Sequence, residues 1–346
     1  MNSQIVLLRQ RNREMNIKTD KVAVIGSGSW ATAISKILLE NVGEINWFIR
    51  KPETVEAFLK YGNNPRYLRD VEFDTSRITF YNDINQIISE SDILVLAIPS
   101  AFLPVVFGEV KSDLSNKYIL SGIKGIVSDE NLLVVEYLHK YFNIPFKMMG
   151  IITGPCHAEE VAQEKLSYLT IAGIDEGRAA KFSQLVECDY IYTSLSDDIW
   201  GTEYSAVLKN VISIAAGIAH GLRYGDNFHA VLISRAIQEI KRFVDAVHPI
   251  DRDIKSPAYL GDLMVTSYSQ FSRNRLFGTM IGKGYSVKAA QWEMNMIAEG
   301  YYGAKSIHEI NRKYDVDMPI SETVYKILYE DASPIRGMIQ LSKLLK

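Results

Sequence analysis

Short apolar runs alternate with helical patterns from Lys21 to about Tyr192. Runs rich in β-branched residues predict strands, and the stretches between them repeat apolar residues at the three- to four-residue spacing of a helix. The predicted strands are Val22–Ile25, Ile45–Ile49, Ile78–Tyr81, Ile93–Ala97, Tyr118–Ser121, Lys147–Ile152, Leu169–Ala172 and Tyr190–Tyr192. The helices predicted between them include Ala31–Leu39, Pro52–Tyr61 and Glu130–Tyr141. This alternation is typical of βαβ units around a mainly parallel sheet.

A glycine-rich turn follows the first predicted strand. The strand and turn read KVAVIGSGSWA over residues 21–31, which fits the pattern G-x-G-x-x-A. Gly26 permits a tight turn, Gly28 lets the backbone approach a pyrophosphate, and the small Ala31 lets the next helix lie close to the strand. The N-terminus of that helix supplies free N–H groups for phosphates. The turn therefore predicts a bound nicotinamide or flavin dinucleotide.

The pattern changes after about Asp198. Ile199–Leu222 and His229–Val247 carry apolar residues at helical spacing without strand-like alternation. The remaining helices are expected to be broken by turns at glycines 278, 282, 284, 300 and 303. We therefore predict an α/β protein, with an N-terminal Rossmann doubly wound sheet over residues 21–198 and an all-α substrate domain over residues 199–346. A cleft between the two is the expected ligand site.

Composition narrows the functional class. The chain has 346 residues, a formal net charge of -3 and two cysteines, Cys156 and Cys188. The near-neutral charge argues against nucleic acid as the main partner. No apolar run reaches the roughly 20 residues that span a membrane. Two cysteines provide neither a disulfide framework nor a zinc spacing, so no metal is predicted and a reducing, cytoplasmic location is favoured.

Residues 1–20 are polar and basic, and are interpreted as a loosely ordered N-terminal extension. Their only apolar run, Ile5–Leu8, is too short for the core of a signal peptide. A surface-binding amphipathic helix is the alternative, and translation from Met15 instead of Met1 also stays open.

Three polar positions follow predicted strands, where ligands of such sheets bind. Arg50 stands after the second strand, where an NAD-selective site carries an acidic residue, so NADP is allowed. Ser100 ends the Ile98-Pro99-Ser100 loop after the fourth strand, and Lys124 lies between two glycines after the fifth. Each has a plain alternative: a solvated side chain or an ordinary turn.

Two further groups suggest chemistry. Lys209 lies in an otherwise small and apolar helix, so it either titrates near neutral pH as a general acid/base or extends its amine to the helix rim. Asp262 and the run Ser272-Arg273-Asn274 offer an acid and phosphate-binding donors, although they also fit surface polar residues. Cys156 beside His157 suggests a nucleophile and base, but adjacent residues of an extended segment point apart.

Taken together, these stretches resemble the bacterial NAD(P)-dependent glycerol-3-phosphate dehydrogenases. The resemblance runs from about Lys21 to Leu341 and rests on seven motifs in order. They are the G-x-G-[ST]-[WY]-[GA] turn, the I-K-G loop, T-G-P-x-x-A-x-E, K-N-V-I, L-G-D-L, S-R-N-R-x-F-G and E-G-Y. The resemblance implies reversible reduction of dihydroxyacetone phosphate to sn-glycerol 3-phosphate with NAD or NADP as cofactor. It also implies the supply of glycerol 3-phosphate for phospholipid synthesis.

The matching motifs imply roles for individual residues. Lys209 matches the catalytic lysine, and Lys124 is implied to stabilise charge at the reacting oxygen. The implied substrate contacts are Lys124, Gly154, Cys156, Asp262, Ser272, Arg273 and Asn274. The implied cofactor contacts are Gly26, Gly28, Ser29, Trp30, Arg50, Lys124, Ala158, Arg273, Ile297 and Glu299.

One departure and two rival interpretations remain. Many bacterial relatives carry threonine and phenylalanine where this chain has Cys156 and His157, so Cys156 keeps the approximate size of the family residue but lacks its hydroxyl donor. Hydroxyacyl or sugar-acid dehydrogenases share the architecture, but they call for a His–Glu pair or a cysteine nucleophile. A nucleotide-sensing protein without catalysis would lack Lys124 and Lys209. The expected partner is a small-molecule substrate, with homodimer formation left open.

Overall fold

The computed structural model describes residues 20–294 and 298–346, so residues 1–19 of the predicted extension and Ile297 lie outside the described residues. Eight strands form one sheet in the order β3-β2-β1-β4-β5-β6-β7-β8. They are β1 Val22–Ile25, β2 Ile45–Phe48, β3 Ile78–Tyr81, β4 Ile93–Leu96, β5 Tyr118–Ser121, β6 Met149–Thr153, β7 Ser167–Gly173 and β8 Ile191–Ser196. The first six are parallel in the order of a dinucleotide-binding sheet. The predicted α/β class and all eight strands are confirmed.

The far edge of the mainly parallel sheet contains one antiparallel pairing and a strand longer than predicted. β7 runs antiparallel to β6, and β8 then pairs in parallel with β7. β8 also extends to Ser196, beyond the predicted end at Tyr192. This strand lies at the edge and leaves most of its side chains partly or fully exposed, so its second half is polar. A polar half-strand carries no apolar run for sequence analysis to detect.

The helices of the N-terminal half cover both faces of the sheet. They are α1 Ser29–Asn41, α2 Pro52–Tyr61, α3 Ile84–Ser89, α4 Leu103–Phe107, α5 Val134–Phe142, α6 Ala158–Ala162 and α7 Glu176–Val186. α2 has the predicted bounds because a proline starts it and Gly62, at a φ of 70°, ends it. α5 begins four residues after the predicted Glu130, since Val127 and Leu132 first form an isolated β-bridge.

The C-terminal half is helical. It consists of α8 Ile199–Gly221, α9 Asp226–Val247, α10 Asp262–Tyr268, α11 Arg273–Gly282, α12 Val287–Glu293, α13 Glu299–Asn311, α14 Pro319–Tyr329 and α15 Pro334–Leu344. α8 is buried along nearly its whole length. Its apolar residues join one continuous core with one face of the sheet, so the helices pack directly against the strands. Among the helices of residues 20–294 and 298–346, none combines the length and apolar composition needed to cross a membrane.

The glycines of the helical half correct one prediction. Gly278 lies inside α11 and Gly303 inside α13, whereas Gly282 is the last residue of α11 and Gly300 the second residue of α13. Gly284 follows α11 at a φ of 101°. The four helical glycines face α8, where an added Cβ would crowd its backbone or Val207. All four are therefore sites of close helix approach, and of these only Gly282 also stands at the end of a helix. We name this set, together with Gly217 and Gly221 of α8, the glycine contacts.

Candidate active site

A cleft of about 850 Å³ opens between the carboxyl ends of the central strands and the helical half. Most residues implied by the sequence line it: Gly26, Gly28, Ser29, Trp30, Arg50, Lys124, Cys156, Ala158, Lys209, Asp262, Ser272, Arg273, Asn274 and Glu299. Gly154 takes part through its carbonyl oxygen, which accepts a hydrogen bond from Nζ of Lys124 at 3.1 Å. Sequence positions more than 200 residues apart thus meet in one cavity.

The glycine turn forms one end of the cleft. Gly26 follows β1 at a φ of 136°, and a Cβ there would overlap the carbonyl oxygen of Ala97 after β4. Only glycine therefore lets these neighbouring strand ends approach. α1 begins with Gly28 as N-cap, without a capping side chain and without an acidic residue in its first turn. Its first N–H groups stay available to an anion.

Basic side chains lie near this turn. Arg50 is exposed at the cleft, and Lys51 and Arg66 also line it. Within the described residues, the guanidinium of Arg50 has neither a hydrogen-bond nor an ion-pair partner. The indole Nε1 of Trp30 is buried and likewise unpartnered in that part of the chain. These free donors and the open N-terminus of α1 fit a dinucleotide with its phosphates.

Lys209, Asp262 and Lys124 form a charged centre deep in the cleft. Nζ of Lys209 donates to Oδ1 of Asp262 and, at 3.0 Å, to Oγ1 of Thr266. Nζ of Lys124 donates to the other oxygen, Oδ2, at 3.1 Å. Lys209 and Asp262 are only 3% and 1% exposed, whereas the Lys124 side chain is 20% exposed. One buried carboxylate therefore holds two ammonium groups, and the third N–H of Lys209 is left for a ligand.

Burial and charge determine how this centre titrates. Burial lowers the pKa of Lys209 to about 7; Asp262 opposes the shift and Lys124 adds to it. Burial disfavours the ionised form of Asp262, but the two lysines outweigh burial and hold the pKa of its carboxyl below the ordinary value. Lys209 thus has the proton affinity of a general acid/base near neutral pH, beside a carboxylate that stays charged.

One face of α8 connects the parts of the site. One residue after Lys209, Asn210 donates from Nδ2 to the carbonyl oxygen of Lys124 at 2.8 Å. One turn further on, the Ser213 hydroxyl donates to the carbonyl oxygen of Thr266 at 2.9 Å and pairs with the Ser272 hydroxyl at 2.9 Å. α8 therefore fixes the lysine loop, α10 and the start of α11 relative to Lys209.

The start of α11 presents donors to the cleft. Ser272 is the N-cap of this helix, and its hydroxyl accepts a hydrogen bond from the Arg275 N–H at 3.3 Å. Oδ1 of Asn274 accepts from the Gly300 N–H at 2.9 Å, which leaves its amide NH₂ free to donate. The exposed guanidinium of Arg273 has no partner among residues 20–294 and 298–346. A guanidinium, an amide and a helix N-terminus together suit a phosphate.

Glu299 connects the two halves of the chain across the cleft. Its carboxylate accepts hydrogen bonds from both the backbone N–H and the hydroxyl of Ser100, at 3.0 and 2.6 Å. Burial raises the pKa of Glu299, while these bonds and Arg273 work in the opposite direction. Ser100, noted in the sequence as the end of a cofactor-facing loop, thus meets the first residue of α13.

Cys156 and His157 do not form a reactive pair. Burial raises the pKa of the Cys156 thiol to about 12, so it stays protonated at neutral pH. Burial, together with Lys209 and Lys124, lowers the pKa of His157 to about 4, so the imidazole is neutral there. The nucleophile interpretation therefore loses its basis, and Cys156 contributes an uncharged wall to the cleft.

Sequence analysis did not single out Thr266 and Asn64, two polar residues whose hydrogen bonds fix parts of this site. Thr266 stands four residues after Asp262 on α10, a helical spacing that would have placed both on one face. Asn64 lies in the loop after α2 and is completely buried, and nothing in its local sequence apart from a turn-forming Asn-Pro pair marks it.

Two family models match the chain. The NAD-dependent glycerol-3-phosphate dehydrogenase N-terminus matches residues 21–179, and the C-terminus of the same family matches residues 198–338. A glycerol-3-phosphate dehydrogenase [NAD(P)+] of Oceanobacillus iheyensis is 33% identical over 91% of this chain and 91% of its own length. One from Staphylococcus haemolyticus is 32% identical over 92% and 96%.

Solved structures give the same result. The crystal structure of glycerol-3-phosphate dehydrogenase from Coxiella burnetii superposes with a TM-score of 0.85 at 27% identity, covering 95% of this chain and 99% of its own. D-mandelate dehydrogenase in complex with NADH has a TM-score of 0.58 at 18% identity over 90% and 98%, a likeness of fold alone.

Proposed function

Because the chain belongs to the NAD-dependent glycerol-3-phosphate dehydrogenase family, we propose that the Lys209–Asp262–Lys124 centre is where it reduces dihydroxyacetone phosphate to sn-glycerol 3-phosphate. The chain is an oxidoreductase that uses NAD(P) as cofactor. The observation that carries the proposal is a buried lysine, paired with a carboxylate and open to a cleft that also contains a dinucleotide turn and a free arginine.

The glycine turn, the start of α1 and Arg50 would hold the cofactor. Their free N–H groups and guanidinium match a pyrophosphate and the ribose end. Ile49, Arg50 and Lys51 follow β2, and no acidic residue lies between β2 and Glu53 of α2, which leaves room for a 2′-phosphate. When bound, NAD(P)H supplies the hydride that reduces the substrate carbonyl.

Lys209 acts as the proton donor in this proposal. Negative charge develops on the carbonyl oxygen as the carbonyl carbon is reduced, and the third N–H of Lys209 donates a proton to that oxygen. Lys124 stabilises the same charge by its position. Asp262 holds both lysines in place and, because it remains ionised, opposes the loss of charge that burial favours at Lys209.

Arg273 and Asn274 bind the substrate phosphate in this proposal. A phosphate at the start of α11 receives the guanidinium, the free amide NH₂ and the helix N-terminus. Binding energy from the phosphate then orients the reacting carbonyl at Lys209. A hydroxy acid or sugar acid without a phosphate group would leave Arg273 unpaired.

The cellular role completes the proposal. A cytoplasmic enzyme of this kind supplies glycerol 3-phosphate for phospholipid synthesis, with small molecules as its partners. The assignment of residues 1–20, 21–198 and 199–346 to an extension, a cofactor domain and a substrate domain remains a prediction, and so does a homodimer.

The test of the function is a direct assay. The purified chain should oxidise NADH or NADPH when dihydroxyacetone phosphate is added, and initial rates with each cofactor will show its preference. Dihydroxyacetone, which lacks the phosphate, is the matched control and should be reduced far more slowly. A chain that binds cofactor but never turns over dihydroxyacetone phosphate would contradict the proposal.

The pH dependence should differ between the two directions. Reduction needs the protonated form of Lys209, so kcat/KM for dihydroxyacetone phosphate should fall as the pH rises through about 7. Oxidation of glycerol 3-phosphate needs the neutral amine and should rise through the same range. Initial rates between about pH 5.5 and 9 with saturating NADH or NAD measure both. Parallel profiles in the two directions would exclude Lys209 as the group that titrates.

A further inference from the structure

All three carbonyl groups of the glycine turn, those of residues 26–28, accept hydrogen bonds from residues that are fully buried. The buried Trp47 indole donates to the Gly26 carbonyl oxygen at 2.7 Å. Nδ2 of Asn64 donates to the Ser27 carbonyl oxygen at 3.1 Å. The Gly28 carbonyl oxygen accepts from both the N–H and the hydroxyl of Thr32, each at 3.0 Å. Each carbonyl oxygen of the turn therefore already accepts a hydrogen bond from within the fold, which fixes the orientation of the turn's peptide groups.

Asn64 contributes more than one of these bonds. Nδ2 also donates to Oγ1 of Thr32 at 2.8 Å, and Oδ1 accepts from the N–H groups of Arg66 at 3.0 Å and Tyr67 at 3.2 Å. Both hydrogens of the amide and both lone pairs of its oxygen are thus used, in a side chain that is fully buried. One side chain therefore ties the glycine turn and α1 to the loop after α2.

The loop that Asn64 holds faces the same cleft. Arg66 and Tyr67 line it, close in sequence to the amide that fixes their backbone. The hydrogen bonds from Nδ2 to Ser27 and Thr32 fix the part of the cleft proposed to bind the phosphates. The hydrogen bonds that Oδ1 accepts from Arg66 and Tyr67 fix the adjacent wall of the cleft. A change in the amide would move both parts of the surface together.

We propose that Asn64 is a positioning residue for the cofactor: it fixes the phosphate-binding turn and the 64–67 loop in the geometry that binds NAD(P)(H), without touching substrate. The inference rests on the proposed cofactor site. It differs from a purely structural role because it concerns cofactor affinity, not only the stability of the fold.

Asn64→Ser is the main test. Serine is neutral and can still accept from the Arg66 N–H, but it is too short to reach Ser27 and Thr32. The dissociation constants of both NADH and NADPH should rise about tenfold, because one hydrogen bond to the turn and one to α1 are lost. The kcat at saturating cofactor and the KM for dihydroxyacetone phosphate should stay within about twofold of the unmodified chain, because Lys209 and Arg273 are untouched.

Two further variants make the result specific. Asn63→Ser is the matched control, since Asn63 is the neighbouring asparagine without a hydrogen bond in the described chain, and it should bind both cofactors normally. Thr32→Val preserves shape and removes the other partner of Nδ2, together with the hydroxyl's own bond to the Gly28 carbonyl oxygen. It should therefore weaken both cofactors by about threefold even if Asn64→Ser folds poorly. The fluorescence of bound NADH and NADPH gives each constant, and thermal unfolding reports stability separately.

The outcomes separate the hypotheses. Weaker cofactor binding in Asn64→Ser or Thr32→Val, with the Asn63→Ser control unchanged, supports the proposal. Cofactor binding equal to the control in Thr32→Val and in any folded Asn64→Ser overturns it, whatever happens to the unfolding temperature. If the unmodified chain binds neither NADH nor NADPH, the proposed function itself fails.

Discussion

Lys209→Met should lower kcat for dihydroxyacetone phosphate reduction by about 1,000-fold, the scale expected for loss of a general acid. Methionine fills a similar volume but can donate no proton, and it leaves Asp262 with only Lys124 as a charged partner. Affinity for NADH should change little, since the glycine turn and Arg50 lie outside the lysine centre. Steady-state rates and the fluorescence of bound NADH measure the two quantities separately.

A second buried lysine offers the control for this variant. Lys117 is 9% exposed, and its Nζ donates to the carbonyl oxygen of Ser91 at 2.7 Å. Lys117→Met therefore removes an equally buried ammonium group and should lower stability without changing kcat. Normal turnover in a folded Lys209→Met variant would disprove the role of Lys209, and a similar loss in Lys117→Met would show that burial of the charge, not its position, matters.

Arg273→Ala should raise the KM for dihydroxyacetone phosphate by about 100-fold, in line with the loss of a charge-assisted contact to a desolvated anion. The guanidinium has no partner to release within the described chain, so its removal costs little stability. The kcat at saturating substrate should fall much less, because Lys209 still donates the proton. KM and kcat from substrate titrations distinguish these effects.

Arg336→Ala provides the comparison. Arg336 also lies in the first turn of a serine-capped helix, α15, but does not line the cleft. Its loss should leave KM and kcat unchanged. An unaltered KM in Arg273→Ala would remove Arg273 from the phosphate site, and a raised KM in both variants would point to a general effect of charge.

The alternation of strand and helix was readable because buried parallel strands are short, continuous apolar runs. β1 and β4 are buried at every position and have nearly the predicted bounds. Lys124, Lys209 and Arg273 could be singled out because a cation among small or glycine residues is unusual. The family resemblance then implied a role for each of them. The polar half of β8 had no such signal, which is why its end was missed.

Contacts between residues that are far apart in the sequence could not be predicted in the same way. The bond between Ser100 and Glu299 joins positions 199 residues apart, and neither residue carries a local mark of the other. The helical glycines show a different difficulty. A glycine that allows a neighbouring helix to approach cannot be distinguished in the sequence from a glycine that ends a helix. Only the packing of these glycines against α8 distinguishes the two roles.

The glycine contacts around α8 also fix the distance between the backbones of α8 and α11. Lys209 projects from α8, and the proposed phosphate site lies at the start of α11, whose backbone touches α8 directly at Gly217 and Gly278. The distance between the backbones of α8 and α11 is therefore fixed by direct contact at glycines and not by bulky side chains that could adjust. In the proposed site, a ketone must carry its phosphate at one fixed number of bonds from the reacting oxygen. Longer homologues would then be rejected by misalignment, even where the cleft has the volume to admit them.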